Sequence, residues 1–306
     1  MRISRRRLAV ATASMGLAIF ISWALELNAT EGRQTTLDAT LTLLKNAQYS
    51  GILQQPIQLV NGQYDGGATV PGTDSRSVVT FVDELHAFGD LDGDDDVDAA
   101  VLLMERSGEH EGFIYLAAMA LTEGGVVQLA TTLLGEHVQI KRMDYVNGAI
   151  RVEMFVPNEG DSSPFPTRKV GATFRVLDGR LVEIRSEPLG SLTVADLEGT
   201  PWVLQPMINA QGESVATGPV TLALKDGRIA GMAACNQYSA GFEERGVGKI
   251  HIGEIIATQK ACPDSLMAEE HRFLDLLGKV DRYGFSFGNL VLNTPENRLI
   301  FTPHSE

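Results

Sequence analysis

Three dipeptides constrain this chain more than any other feature: Asn61-Gly62, Asn147-Gly148 and Asp178-Gly179 each separate segments in which apolar and polar residues alternate. Alternation at period two puts one face of a strand in a core, and Asn-Gly or Asp-Gly accepts the positive φ of a two-residue hairpin turn. The stretches "IQLVNGQYDG", "VQIKRMDYVNGAIRVEMFV" and "GATFRVLDGRLVEI" therefore read as hairpins, and "GFIYLAAMALTEGGVVQLATTLLG" as another around Gly124-Gly125. Such a chain folds mainly as antiparallel sheet. Helical spacing is confined to short runs. "TTLDATLTLLKNAQYSG" predicts one short helix with Leu37, Leu41, Leu43 and Leu44 on one side and Gly51 after its end. In "DSLMAEEHRFLDLLGKV", Leu266, Phe273, Leu274, Leu277 and Val280 share a face and Asp264 or Ser265 caps the start. Glu269, Glu270 and His271 in that helix read as a solvated face rather than an acid/base pair.

The expected fold class is mainly β (α+β), with two antiparallel strand-rich domains. A chain of 306 residues is long enough for both to bury a core. Residues 36–187 form the first, with "RSEPLGSLTVAD" as a linker carrying Pro188 and Gly190, and residues 195–304 form the second, with one helix. Residues 1–29 stand apart. Arg2, Arg5, Arg6 and Arg7 precede an uncharged apolar run from Leu8 to Leu25, the pattern of a signal peptide or an N-terminal membrane anchor. Both readings put the rest of the chain outside the cytoplasm, periplasmic or extracellular, with residues 8–25 as the sole membrane contact. Residues 1–29 hold four Arg and one Glu, so a chain of net charge −14 becomes −17 without them. That charge, with no Lys/Arg cluster downstream, argues against nucleic acid as a partner.

The stretch "FGDLDGDDDVDAAVLL" places six aspartates in nine positions. Neighbouring carboxylates about 5 Å apart repel by roughly 1 kcal/mol per pair in water, and a hard cation would offset this. Asp90, Asp92, Asp94 and Asp98 occupy positions 1, 3, 5 and 9 of a calcium-type loop, and the carbonyl of Asp96 supplies position 7. The twelfth position is Val101 rather than Glu, so this is no EF-hand. The Phe88-Gly89 pair and Asp98-Ala99-Ala100-Val101 instead resemble the calcium loops of FG-GAP repeats, in one copy only. Structural Ca2+ is the expected cofactor. The alternatives are a solvated acidic turn, or a catalytic metal with His86 as the only nearby additional ligand.

Four motifs occur in order in the second unit: "LEGTPWVLQPM", "RIAGMAACNQYSAGFE", "IGEIIATQKACPDSLMAEEHRFLDLLGKV" and "YGFSFGNLVL". Together they resemble the META domain (HslJ-like) family. Gly231, Cys235, Asn236, Tyr238, Gly241, Thr258, Ala261, Cys262, Glu270, Phe273 and Leu274 fit its pattern, with Ala234 in place of its usual Gly and Lys260 in place of its usual Met. The resemblance implies a small strand-rich domain with one helix, often exported, associated with envelope stress or resistance, and brings no catalytic residues with it. Cys235 and Cys262 are the chain's only cysteines, and export favours a disulfide between them over two buried thiols.

No nucleophile elbow, zinc helix or phosphate loop is present in the sequence, and "GVGKIHIG" reads as a hairpin turn entering a strand. The expectation is an exported, non-catalytic envelope protein, its partner another envelope protein or a small apolar ligand. The alternatives are a secreted hydrolase using acidic residues and a secreted inhibitor or binding protein.

Overall fold

A computed structural model describes residues 37–68, 76–107, 112–159, 161, 165–206 and 218–304. The predicted signal or anchor, residues 1–29, lies outside them. Among the described residues no helix is long and apolar enough to cross a membrane.

Helix α1 includes residues 37–44, and a two-stranded sheet follows, β1 (Gln48–Tyr49) with β2 (Ile57–Gln58). A five-stranded antiparallel meander comes next: β3 (Gln63–Ala68), β4 (Arg76–Gly89), β5 (Asp98–Ser107), β6 (Phe113–Thr122) and β7 (Gly125–Glu136). A four-stranded meander, β8 (Gln139–Val146), β9 (Ala149–Val156), β10 (Arg168–Leu177) and β11 (Arg180–Ser191), packs on one face of it. Ala100, Leu102, Leu116 and Ala118 of the first sheet meet Ile140, Ile150, Val152, Ala172 and Phe174 of the second.

The opposite face of the five-stranded sheet is covered by the N-terminal segment, which sets Leu44, Ala47, Tyr49, Ile57 and Leu59 against Ala99, Val101, Leu103, Ala117 and Met119. Strand β5 is thus buried on both sides. This explains why "DAAVLL" is continuously apolar after its aspartate although its strand is antiparallel.

After a short 3-10 turn at Val194–Asp196, eight strands close a barrel: β12 (Trp202–Leu204), β13 (Thr221–Lys225), β14 (Arg228–Ala233), β15 (Asn236–Gly246), β16 (Lys249–Ala257), β17 (Arg282–Ser286), β18 (Asn289–Asn293) and β19 (Arg298–Pro303). Eight strands leave an interior that side chains can fill. Here Trp202, Tyr238, Phe285, Leu290 and Phe301 fill it, joined by Phe273, Leu276 and Leu277 of helix α2 (Asp264–Leu277), which lies between β16 and β17 in sequence.

Four expectations need correction. Asn61-Gly62 makes a tight turn bridging Val60 and Gln63, but β2 and β3 on either side of it join different sheets. The first helix ends at residue 44, and Leu43 is exposed while Leu44 is buried. "RSEPLGSLTVAD" is no loose linker: β11 runs through it to Ser191, and Leu192 and Val194 enter the barrel core. Neither Asp264 nor Ser265 is the N-cap of α2. Pro263 holds that place, with no side-chain capping bond.

The barrel docks on the four-stranded sheet. The amide of Phe285 donates to Gln139 Oε1 at 3.0 Å and that of Gly288 to the Ile140 carbonyl at 2.9 Å. The Phe155 and Phe285 rings stack 5.6 Å apart. Beside them Lys141 and Lys169 share Glu153 and Asp196, with Nζ to oxygen distances of 3.3 Å and 3.0 Å to Glu153 and 2.8 Å from Lys141 to Asp196. Burial alone would raise both carboxyls, but hydrogen bonds and charge from the two lysines outweigh it and hold both below their ordinary range. A carboxyl depressed in the folded state adds stability above its unfolded pKa and loses it as pH falls through the folded one. The wild type is therefore expected to lose thermal stability below about pH 4, and Glu153→Gln/Asp196→Asn to show a shallower acid limb in melting curves taken across pH.

Candidate functional site

The acidic stretch closes the β4–β5 hairpin, with Gly89 paired to Asp98. Gly93 and Asp95 adopt positive φ, 91° and 69°, so two reversals fold the loop back on itself. Leu91 is buried and anchors it. The carboxylates organise the backbone locally: Asp90 Oδ1 accepts from the Gly93 amide at 2.6 Å, Asp92 Oδ1 from the Asp94 amide at 3.2 Å, and Asp94 Oδ1 from the Asp96 amide at 2.9 Å. Asp98 is only 2% exposed, and its Oδ2 accepts from the Leu91 amide at 2.8 Å. Burial first, then the charges of Asp92 and Asp94, push its carboxyl above the ordinary range.

Asp90, Asp92 and Asp98 each offer an oxygen within 4.8 Å of the others. Oxygens on one calcium ion lie at most about twice 2.3–2.6 Å apart, so the spacing fits that ion. The donors are all hard oxygens, which suits calcium better than zinc. The side chains of Asp94 and Asp96 fall outside this group. The loop also packs on the second sheet. A Cβ on Gly89 would stand 2.5 Å from the Tyr145 ring, and one on Gly148, in the β8–β9 turn, 3.9 Å from the Asp90 carbonyl.

A second cluster of polar side chains lies in the barrel, centred on Asn236, which is 1% exposed. Its Oδ1 accepts from Thr258 Oγ1 at 2.8 Å and from the Lys260 amide at 2.7 Å. Its Nδ2 donates to the Lys260 carbonyl at 3.2 Å and to Glu270 Oε1 at 3.1 Å, while its own amide donates to Glu270 Oε2 at 2.7 Å. The disulfide between Cys235 and Cys262, with Cα atoms 6.2 Å apart, crosses the same point. Cys235, Asn236, Thr258, Cys262 and Glu270 are thus one lock tying the β14–β15 turn to the start of α2.

The solvated face expected of Glu269 and Glu270 is overturned. Both are buried, and Glu269 Oε2 accepts from the Gly218 amide at 3.1 Å. Their partners lie 51 and 34 residues away, so helical spacing carried no signal of this. The one sign in the sequence is that Glu270 fits the same motif pattern as Cys235, Asn236 and Phe273.

A search of the curated proteins found no match. Among solved structures, an NMR structure of a protein from Burkholderia xenovorans is similar at 21% identity and a TM-score of 0.33, covering 49% of this chain and 100% of its own. A second NMR structure matches at 18% identity and a TM-score of 0.31, covering 37% of this chain and 95% of its own. The family model described as META domain matches residues 195–306, which include the whole barrel, α2 and the Asn236 lock. The barrel-forming part of the chain thus carries a META domain.

Proposed function

We propose that this chain is an exported, non-catalytic envelope protein in which a calcium ion stabilises the β sandwich and the META domain supplies a second binding unit. The observation that carries the reading is the convergence of Asp90, Asp92 and buried Asp98 on one point. A buried carboxylate facing two others carries a repulsion that a shared cation would relieve. In the barrel, six of the residues that fit the family pattern, Cys235, Asn236, Tyr238, Thr258, Cys262 and Glu270, are engaged in internal hydrogen bonds or the disulfide, which supports a structural role for them. Recognition of another envelope component or a small apolar ligand, and a part in envelope stress, follow from this reading.

Asp90, Asp92 and Asp98 would hold the ion through side-chain oxygens, linking β4 to β5 and, through the Asp90 backbone, to the β8–β9 turn. Extracellular sites bind calcium at about 0.1–1 mM, so about 2 mM calcium should stabilise the protein by roughly 1.8 kcal/mol at the tight end. Melting temperature should rise by a few degrees, and magnesium should do less. Asp92→Asn should abolish the shift. Asp94→Ala should retain it, because that side chain stands outside the convergent group. No shift in the wild type against a chelator control at constant ionic strength would return the loop to a solvated turn.

A further inference from the structure

Strands β16 and β17 pair at a single register position, Lys249 opposite Arg282, flanked by hydrogen bonds from the Ile250 amide to the Asp281 carbonyl at 3.1 Å and from the Tyr283 amide to the Gly248 carbonyl at 3.0 Å. Like charges directly opposite in a sheet are destabilising. Beyond that position the strands part, and a cleft of about 380 Å3 opens between the β15–β16 hairpin and the end of α2. Arg245, Lys249, His251, Lys279 and Arg282 line it, with Asp281 the one acidic residue in its wall. Four permanent cations thus gather in one concavity of a chain whose net charge is −14.

Two of the four have carboxylate partners that leave them exposed: Arg245 lies 3.7 Å from Glu243 and Lys279 2.6 Å from Asp275. Among the described residues neither Lys249 nor Arg282 has a carboxylate partner, and the Arg282 guanidinium sits 4.8 Å from the centre of the Phe165 ring. The charges facing the cleft therefore do not cancel within the fold.

We infer that this cleft binds a phosphate-type oxyanion. Arginine presents a planar fork to phosphate oxygens and lysine a compact charge, and both kinds converge here. The volume is near the low end of small-ligand pockets, about 300–1,000 Å3, which suits a phosphorylated small molecule or a single lipid headgroup. The cleft is in the barrel, so the inference stands independently of calcium at the sandwich loop.

Calorimetric titration of the full chain in a neutral detergent tests it, with inorganic phosphate and glycerophosphoglycerol, the soluble headgroup of an anionic lipid, as separate probes at fixed ionic strength. Saturable binding of phosphate identifies a free phosphorylated ligand, and binding of glycerophosphoglycerol alone identifies the lipid headgroup. Either supports the inference. Arg245→Gln/Lys249→Gln, both at exposed positions, should weaken binding by at least about tenfold. Raising potassium chloride should weaken wild-type binding in parallel, a readout that does not depend on any variant folding. Absence of saturable heat with both probes, or equal affinity in the double variant, overturns the inference.

Discussion

Gly231→Ala is expected to destabilise the barrel by more than about 3 kcal/mol, at the upper end of what overpacking costs. A Cβ there would lie 2.0 Å from the Thr221 carbonyl oxygen and 2.7 Å from its carbon, and both belong to the backbone of the neighbouring strand β13. No rotamer change relieves a clash between a Cβ and a main chain. Thr221 is also tethered: its carbonyl accepts from the Tyr238 hydroxyl at 2.9 Å and its Oγ1 from the Met232 amide at 3.0 Å. Strand β13 must therefore retreat and surrender these bonds. Urea unfolding measures the loss, and a variant within about 1 kcal/mol of wild type would show that the two strands separate more easily than their packing implies.

Asn236→Asp should cost about 3–5 kcal/mol at neutral pH, the range for an uncompensated buried charge. The substitution keeps the shape of the side chain and replaces a donor with an oxygen facing Glu270 Oε1, now 3.1 Å away from the amide nitrogen. It also turns an oxygen toward the Lys260 carbonyl, now 3.2 Å from that same nitrogen. Two carboxylates in contact raise the affinity of the pair for one proton. The penalty is thus greatest at neutral pH and shrinks as pH falls through the raised pKa of the pair. Denaturation of wild type and variant at several pH values separates this from a packing defect, which would cost the same throughout.

What could be read from the residues was local chemistry. Asn147-Gly148 and Asp178-Gly179 turn hairpins because each lies between strands that pair with one another, β8 with β9 and β10 with β11. Asn61-Gly62 has the same turn chemistry, yet its flanks go to separate sheets, a choice made by distant partners: β1 for one and β4 for the other. Glu269 and Glu270 were misread for the same reason, since the groups that justify burying them come from Gly218 and Asn236. At the acidic loop, spacing names Asp90, Asp92, Asp94 and Asp98 as the converging side chains, and three of these four meet. The Asp94 side chain stays outside the group, while Asp98 is drawn inside because it begins β5, a strand covered on both faces. Docking of the Phe287-Gly288 turn onto the sandwich had no local signature at all, because it joins segments about as far apart as Gln139 and Phe285, 146 residues.

Calcium binding to the full-length, metal-free chain is the direct test of the stabilised sandwich, measured by calorimetry at about 0.15 M ionic strength so that diffuse attraction to an acidic protein is screened. The predicted result is one ion per chain with a dissociation constant of about 0.1–1 mM, and no specific heat in Asp98→Asn. In that variant the introduced amide retains an oxygen for the Leu91 amide while the buried charge is gone, so its metal-free stability should not fall. Equal binding by Asp98→Asn, or no saturable binding by the wild type, would contradict a calcium site at Asp90, Asp92 and Asp98.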